Sequence, residues 1–453
     1  MLNRTFNIII QINLFNWIAL TGILIYSFSS VDHLFAQGFD DKPISKVIIV
    51  GNDHTDADII ERELLFKVGD VVSDSVLQAS KKRIENLWLF NRVEFYALPD
   101  GNKVGLLISV TERLYIFPYP EFRLEDRDWK KVTWGFGLAH ENFRGRNEKV
   151  YIAMLFGNRP GYSFSYLNPW VNRKWHLTTG FYLKKYSKDS RDEFFYDNKT
   201  APINENHIYG DLTFGKHWTR NFYNRLYFSR DEIHVKKEFA PQMETGTSKD
   251  VVYSMILSTI YDSRDLYAYP GRGWLLQLRL EKNGLFVPKI DYSSFNIDIR
   301  KYISWRKLIV AGRISSEISF GHLPFYDRVY LGFSERVRGH FTEVHAGRHN
   351  LVSTFEIRFP ILKTHYFNFL SDVFPGSSTK DLKFGIKAGL FAETGLAWSK
   401  QKEFDQFNDL NNFISGFGAG IHFILPYIEV LRIDMAFNEK FKYETVLEIG
   451  VAF

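Results

Sequence analysis

The side chain best suited to strong chemistry in this sequence is Arg338, within the glycine-flanked stretch Leu331 to His340 (LGFSERVRGH). A guanidinium is always charged and presents its N–H donors as a rigid fork. Out of water it needs acidic partners, because an unpaired buried charge is very costly. If Arg338 is buried or half-buried, the chain must therefore supply an acidic partner for it.

Motifs for catalysis are absent from the sequence. It contains no G-x-S-x-G nucleophile elbow, no HExxH pair and no phosphate loop of the Walker type. With no cysteine, it can form neither a disulfide nor a cysteine metal site. His345 and His349 are four residues apart, a spacing that pairs metal ligands only on a helix, whereas their surroundings predict a loop. We therefore expect no enzyme activity, no metal site and no cofactor.

The composition favours a membrane barrel. Aromatic residues make up 17% of the 453 residues, with 42 Phe, 24 Tyr and 10 Trp, which fits the aromatic girdles of outer-membrane barrels. A mean hydropathy of −0.21 argues against a bundle of transmembrane helices. The net charge of +5 is mild and dispersed, so it indicates solubility and attraction to anionic lipid headgroups, not nucleic-acid binding.

Period-two alternation dominates the sequence after Pro118. In GWLLQLRLE, Leu276, Leu278 and Leu280 share one face, and the terminal run alternates up to Phe453. Residues 115–453 are thus predicted to form an all-β transmembrane barrel, with about 16 antiparallel strands. A soluble β-sandwich would also alternate, but would leave the aromatic excess unexplained. Polar stretches near 186–209, 363–383 and 399–412 are predicted as outer loops.

The N-terminal region 1–37 is predicted to be a signal peptide. A short basic start at Arg4 precedes a mostly apolar run from Phe6 to Phe28, and the small residue Ala36 suits cleavage. The alternative is an uncleaved membrane anchor, since the run is long enough to span. Export predicts location in the outer membrane.

Residues 44–113 form a different pattern, β-α-α-β-β. A strand ends at Gly51-Asn52, a helix is predicted from Thr55 with Asp58 in capping-box position, and Gly69-Asp70 ends it. A second helix starts at Asp74. Two strands joined by an Asp100-Gly101 turn complete the module.

This module resembles a POTRA domain, the polypeptide-transport-associated fold, and one copy is expected, in the periplasm. The resemblance implies that an open strand edge pairs with extended polypeptide clients. Phe90 to Val93 and the following strand are candidates for this edge, and core packing is the alternative for these residues.

Five segments of the barrel region resemble the family of BamA and TamA, the outer-membrane assembly and translocation proteins. They are Glu141-Asn142-Phe143-Arg144-Gly145-Arg146 with Asn168-Pro169-Trp170, Asp262-Ser263-Arg264-Asp265 with Pro270-Gly271-Arg272-Gly273, Leu323 to Gly339, Asn350 to Pro360, and Leu431-Arg432-Ile433-Asp434.

The resemblance implies a loop latch in which Arg338 and Gly339 turn into the lumen and the arginine pairs with Glu356 and Glu393. Two positions depart from the family: Glu393 replaces the usual aspartate, and His340 replaces an aromatic residue, where it could stack. The alternative is that Arg338 is an exposed loop charge of little energetic value.

The resemblance also implies a weak barrel seam between the first strand, expected after Trp134, and the last, ending at Phe453. Gly135, Gly137 and Gly450 fit poor closure there. The expected function is insertion or translocation of polypeptides. The expected partners are unfolded or partly folded clients, outer-membrane lipid and periplasmic accessory proteins. The alternative is a passive pore or surface antigen that kept the fold without clients.

Overall fold

The computed structural model describes residues 42–124, 132–172, 174–190, 203–332, 335–340, 343–368, 376–399 and 413–449. The predicted signal peptide, Gly450 and Phe453 lie outside these residues. Within them, no helix has the length and apolar character needed to cross a membrane.

The N-terminal module has the order predicted for a POTRA domain. Its elements are β1 (Ile44–Val50), α1 (Ala57–Glu61), α2 (Asp74–Glu85), β2 (Phe90–Asp100) and β3 (Lys103–Glu112). The sheet order is β1-β3-β2, with β1 parallel and β2 antiparallel to β3. The two helices pack Ile60 and Ile84, both fully buried, onto the sheet, which gives the module its own hydrophobic core.

The first helix differs from the prediction. It ends at Glu61 rather than near Gly69, and its N-cap is Asp56 rather than Thr55, with no side-chain capping bond. The Thr55 hydroxyl instead donates to the buried Glu112 carboxylate at 2.6 Å. The predicted capping box is therefore wrong, because a charged acceptor from β3 offers Thr55 a stronger hydrogen bond than the helix end does.

The barrel is a sheet of 16 antiparallel strands in chain order. Its strands are β4 (Ile116–Leu124), β5 (Val132–Phe143), β6 (Glu148–Gly157), β7 (Gly161–Asn172), β8 (Leu177–Ser190), β9 (Ile203–His217), β10 (Phe222–His234), β11 (Lys249–Asp262), β12 (Gly273–Asn283), β13 (Tyr292–Trp305), β14 (Leu308–Gly321), β17 (His349–Phe367), β18 (Leu382–Trp398), β19 (Ile414–Leu425), β20 (Glu429–Asn438) and β21 (Tyr443–Ile449). Two short strands, β15 (Val329–Leu331) and β16 (His345–Gly347), form a separate ladder between β14 and β17.

Alternation assigns the two faces of the barrel wall as predicted. Leu276 and Leu280 of β12 are 39% and 43% exposed and point outward, whereas Arg279 and Glu281, on the opposite face, pair with each other at 3.0 Å. An apolar outer face and a polar inner face are what a lipid-embedded barrel requires.

One predicted outer loop is too long, and another lies at the wrong end of the barrel. Residues 186–190 and 203–209 belong to β8 and β9. The connection between β17 and β18 lies on the POTRA side, since Asp381 accepts hydrogen bonds from Arg92 and Thr111 of the POTRA module. A polar composition predicts a solvated loop but not the end of the barrel at which it lies. The third predicted loop, apart from residue 399, lies outside the described residues.

Candidate functional site: an arginine-centred cluster in the barrel interior

The long loop, residues 322–348 between β14 and β17, folds inside the barrel over its described residues, 322–332, 335–340 and 343–348. Its strands β15 and β16 pair from Val329↔Gly347 to Leu331↔His345. Leu331 and Val337 are 1% and 0% exposed and pack with Val352 of β17. This apolar contact carries the tip of the loop towards the inner wall.

The guanidinium of Arg338, in this tip, contacts carboxylates from three strands. Its Nε and Nη2 donate to Oε1 of Glu393 on β18 at 2.9 and 2.6 Å, and its backbone N–H donates to Oε2 at 2.8 Å. Nη1 donates to Asp434 on β20 at 2.7 Å, and Nη2 reaches Glu356 on β17 at 3.4 Å. We call Arg338, Glu356, Glu393 and Asp434 the lumen cluster.

The lumen cluster is buried and electrically balanced by its neighbours. Arg338 is 4% exposed, and its guanidinium carbon lies 3.6 Å from the ring centroid of Phe391. Arg358 donates to Glu356, and Arg432 lies 4.0 Å from the same carboxylate. Three arginines thus face three carboxylates, so loss of one member leaves an uncompensated charge in a confined space.

Two glycines allow the loop to approach the wall closely. Gly339 has a φ of +102°, in the left-handed region, and its N–H donates to Glu444 at 2.6 Å. Gly416 of β19 lies directly under the loop, where a Cβ would overlap the carbonyl oxygen of Arg338. The arginine reaches its partners only because these positions carry no side chain.

Within the described residues, His340 is held by hydrogen bonds. Its Nδ1 lies 2.9 Å from Glu343, and its Nε2 lies 2.8 Å from Glu439 in the β20–β21 turn and 3.1 Å from the Ser415 carbonyl. Burial lowers its pKa, but the bonds to Glu343, Ser415 and Glu439 outweigh this, so the pKa of His340 is raised above 6.5. A protonated imidazole can donate to both carboxylates.

The structure brings together all four residues predicted for the latch: Arg338, Gly339, Glu356 and Glu393. Asp434 was missed as a partner, although its stretch was singled out as a strand motif. The signal for it was an acid at a position that alternation turns inward, between the outward Ile433 and Met435, which are 41% and 48% exposed.

Two of the three glycines predicted for the seam lie elsewhere. The first barrel strand is β4, so Gly135 and Gly137 on β5 are in the second strand, and Trp134 does not precede the barrel. Tyr119 of β4 packs against Gly137, which accounts for that glycine by close approach. The seam is the junction of β4 and β21, and no pairing of these strands occurs within the described residues.

The POTRA module is fastened to the barrel rim through the turn between β11 and β12. Lys82 of α2 donates to the Asp265 carboxylate at 3.0 Å, and Asn86 exchanges hydrogen bonds with the backbone of Asp265 and Tyr267. Burial raises the pKa of Asp265, but Lys82 and the amides of Gly271 and Arg272 outweigh it, and the pKa lies below 3.8. The carboxylate therefore stays ionised and paired.

A second attachment uses the turn after β5. Asn142, fully buried, donates to the Thr55 hydroxyl at 2.9 Å, and the Gly145 carbonyl accepts from the Asp56 amide at 3.0 Å. A Cβ on Gly145 would overlap the His54 carbonyl. Two of the segments that carry the family resemblance thus hold the POTRA module against the barrel.

One rim turn reaches from the POTRA module to the lumen cluster. Tyr269, in the same turn as Asp265, is 5% exposed, and its hydroxyl lies 2.8 Å from Nδ1 of His422. The Nε2 of His422 lies 3.5 Å from Asp434, a partner of Arg338. Contacts therefore run without a gap from Lys82 of α2 to the loop arginine.

A cleft of about 1270 Å³ separates the POTRA helices from the rim. Its lining includes Arg62 and Lys82 from the module and Trp170, His217, Arg264 and Tyr267 from the barrel. The guanidinium of Arg62 lies over the Trp170 ring, 4.9 Å from its centroid. The cleft at this junction is therefore open, and side chains of both charge signs line it.

The predicted client-binding edge of the POTRA module contains both buried core residues and residues that contact the barrel. Phe90 and Val93 are 7% and 0% exposed and belong to the module core, so core packing is the correct reading for them. Asn91 and Arg92 contact the β17–β18 connection. β2 is an edge of the sheet order, and its free part begins beyond these residues.

The two histidines considered as metal ligands have separate environments. His349 packs against Trp398 with the two rings tilted by 43° and accepts a hydrogen bond from the Ser319 amide, whereas His345 lies 3.8 Å from Glu343. In the part of the chain that the structure describes, no group of three or more His, Cys, Asp or Glu could hold a metal ion.

Comparisons with known proteins agree with this architecture. The chain is 25% identical over 328 residues to the outer membrane protein assembly factor BamA of Neisseria meningitidis serogroup B, a match covering 66% of this chain and 39% of that protein. Two solved structures share the fold. BamA from Haemophilus ducreyi lacking POTRA domains 1–3 has a TM-score of 0.50 at 15% identity, covering 90% of this chain and 83% of that one. CdiB from Escherichia coli has a TM-score of 0.54 at 11% identity, covering 91% and 77%.

The family comparison covers both parts of the chain. A POTRA domain, the surface antigen variable number repeat, matches residues 43–113. The Omp85 superfamily domain matches residues 142–451. The barrel accordingly lies in the outer membrane, with the POTRA module in the periplasm. The chain belongs to the Omp85 superfamily.

Proposed function

We propose that this protein inserts or translocates polypeptides at the outer membrane, with the POTRA module binding clients and the long loop closing the barrel until a client engages. No nucleotide takes part, and folding and insertion of the client supply the free energy. The curated relative is an outer membrane protein assembly factor, which supports the same class of activity for this chain.

The observation that carries the proposal is the burial of Arg338 among three carboxylates. A passive channel has no need to hold a loop across its interior with desolvated ion pairs, because such pairs are costly to build. A loop held by several charge-assisted bonds has two discrete states, since all the bonds form or break together. We infer that the closed state is the resting state.

The POTRA module supports the client-binding half of the proposal. Its strand β2 ends the sheet order and leaves backbone groups unpaired beyond Arg92, where an extended segment can add as a further strand. Pairing through the backbone reads little sequence, which suits a varied set of unfolded clients. Periplasmic accessory proteins are further candidate partners at the same module.

Depletion of the protein from its host tests the function. Loss of other barrels from the outer membrane, or of one secreted protein, supports insertion or translocation. Unchanged membrane and secreted proteomes would refute it and favour a passive pore or surface antigen.

Photo-crosslinking tests the client edge. A photoreactive amino acid replaces Tyr96 of β2, which is 45% exposed. The matched control replaces Ile48 of β1, which is 37% exposed and pairs in register with the same β3 residue, Leu107. We expect unfolded barrel clients to crosslink at position 96 and not at 48. Equal yields at both positions would argue against pairing at β2.

A further inference from the structure

Exposed tryptophans mark the periplasmic end of one side of the barrel. Each lies at or beside a turn between β7 and β14, at the level where the wall meets the periplasm. They are Trp175, Trp218, Trp274 and Trp305, with exposures of 58%, 56%, 40% and 61%. We call this set, with the cations described next, the periplasmic arc.

Every tryptophan of the arc has a cation against its ring. Lys216 lies 4.2 Å from the Trp218 centroid, and Lys301 lies 4.2 Å from that of Trp274. The other two pairs are wider, with Lys174 at 5.8 Å from Trp175 and Arg306 at 5.5 Å from Trp305.

These cations have no acidic partner among the residues that the structure describes. A ring face attracts a cation weakly and leaves much of its hydration in place, which keeps the ammonium available to an anion.

The arc faces lipid and not the lumen. Trp274 and Lys301 are cross-strand partners in register, and the next pair outward along the same face is Leu276↔Ile299. Lys216 follows Phe214 and precedes Trp218 on the outward face of β9, where Phe214 is 50% exposed. Cations placed between apolar residues and tryptophan lie at headgroup depth.

The arc also lies opposite the seam. In the order of 16 strands, β11 and β12 are midway between β4 and β21, and the arc spans β7 to β14 around them.

We propose that the periplasmic arc binds anionic phospholipid headgroups, of the phosphatidylglycerol class, in the inner leaflet of the outer membrane. The tryptophans fix the depth at which the barrel wall lies in the membrane. Each cation contacts the phosphate of an anionic lipid headgroup. The barrel is thereby anchored in lipid along the wall from β7 to β14, away from the seam. This anchoring is independent of polypeptide transport.

Lipid-dependent quenching of tryptophan fluorescence tests the proposal. The full chain is reconstituted in phosphatidylcholine vesicles containing a graded share of phosphatidylglycerol, with either lipid brominated in turn. Brominated chains quench nearby indoles, so the two series give the relative binding constant of the anionic lipid. A cation near an anionic bilayer surface is worth about fivefold in binding, so we expect the wild-type constant to favour phosphatidylglycerol by about that factor at the arc.

The test variant changes only the cations and keeps every tryptophan as a reporter: Lys174→Gln, Lys216→Gln, Lys301→Gln and Arg306→Gln. We expect its relative constant to fall to near one. The matched control removes the same charge from exposed sites in the POTRA module and an outer loop: Lys46→Gln, Lys67→Gln, Lys103→Gln and Lys237→Gln. We expect the control to retain the wild-type preference.

An unchanged preference in the arc variant, or an equal loss in the control, overturns the proposal. Folding of each variant is checked by the heat-dependent shift in electrophoretic mobility that folded barrels show. If the arc variant does not fold, the salt dependence of the wild-type protein's preference for phosphatidylglycerol provides the test. A preference that disappears in 0.5 M salt supports ion pairing at exposed cations, and one that persists refutes it.

Discussion

Replacement of Arg338 by alanine should release the long loop from the inner wall. The change removes the donors to Glu393, Asp434 and Glu356 together and leaves the loop backbone otherwise intact. Glu393 loses most, because it keeps only uncharged donors from these contacts: the backbone N–H of residue 338 at 2.8 Å and the Thr354 hydroxyl at 3.4 Å. Glu356 keeps Arg358, so its charge stays compensated.

The expected size of the effect follows from breaking a buried ion pair. Removing one partner typically costs ~3–5 kcal/mol, because the other charge is left desolvated. Water can enter a barrel lumen and rehydrate Glu393, so we take the lower end, about 3 kcal/mol. At about 1.4 kcal/mol per factor of ten, the open population should rise by roughly a hundredfold.

The absence of cysteine from the chain permits a clean assay. Val337, beside the arginine, is 0% exposed, and a Val337→Cys variant keeps a similar volume. Its rate of modification by a membrane-impermeant maleimide reports how often the loop opens, as exchange reports local unfolding. We expect Arg338→Ala in this background to raise the rate by roughly a hundredfold and to raise ion conductance in planar bilayers.

The control is Arg279→Ala, which removes a luminal arginine whose ion pair with Glu281 lies at 3.0 Å, on β12 and away from the loop. It should label within about twofold of the parent protein, as expected for an exposed pair. A folded Arg338→Ala protein that labels no faster than this control would show that the arginine does not hold the loop.

Three further outcomes follow from the same contacts. Gly416→Val should raise labelling at the Val337 cysteine without removing any charge, because the side chain overlaps the loop backbone, whereas Gly312→Val on β14, with open space around it, should not. His340 has a raised pKa, so its contribution to loop closure is complete below pH 6.5 and is lost as pH rises through that raised pKa. The labelling rate of the Val337 cysteine should therefore climb with alkaline pH. The His340→Gln substitution should flatten this pH profile. Asp265 has a pKa below 3.8, so POTRA attachment is complete above that value and is lost as pH falls through the lowered pKa. Fluorescence transfer between the POTRA module and the barrel should therefore fall in acid. The Asp265→Asn variant should show this low transfer already at neutral pH.

The local sequence pattern was sufficient to predict the order of the secondary-structure elements and the faces of the strands. Period-two alternation predicts outward leucines on β12 and inward charges beside them, since successive side chains in a strand point to opposite faces. The same reasoning identifies the POTRA order, because Gly51 and the Asp100-Gly101 turn interrupt the strands where a turn is required. The barrel region was predicted from residue 115, but its first strand was expected after Trp134, one strand too late, since β4 contains Pro118 and Pro120 and resembles a linker.

Pairings between distant residues needed the folded chain. The family resemblance led from Arg338 to Glu356 and Glu393, but the third carboxylate, Asp434, lies 96 positions away along the chain. Alternation shows that Asp434 faces inward and not which inward group it meets. That depends on the strand order and stagger that bring β18 and β20 under the same loop tip.

By itself the sequence determined the two modules, the faces of the strands and the presence of a loop arginine that requires acids, because these depend on residues close together in the chain. Tertiary structure decided three further matters: the Thr55 hydroxyl serves Glu112 rather than a helix end, the β17–β18 connection lies at the POTRA module, and Arg338 has three partners. Each of these depends on which distant groups share a confined volume, and burial makes such contacts strong once the chain has closed around them.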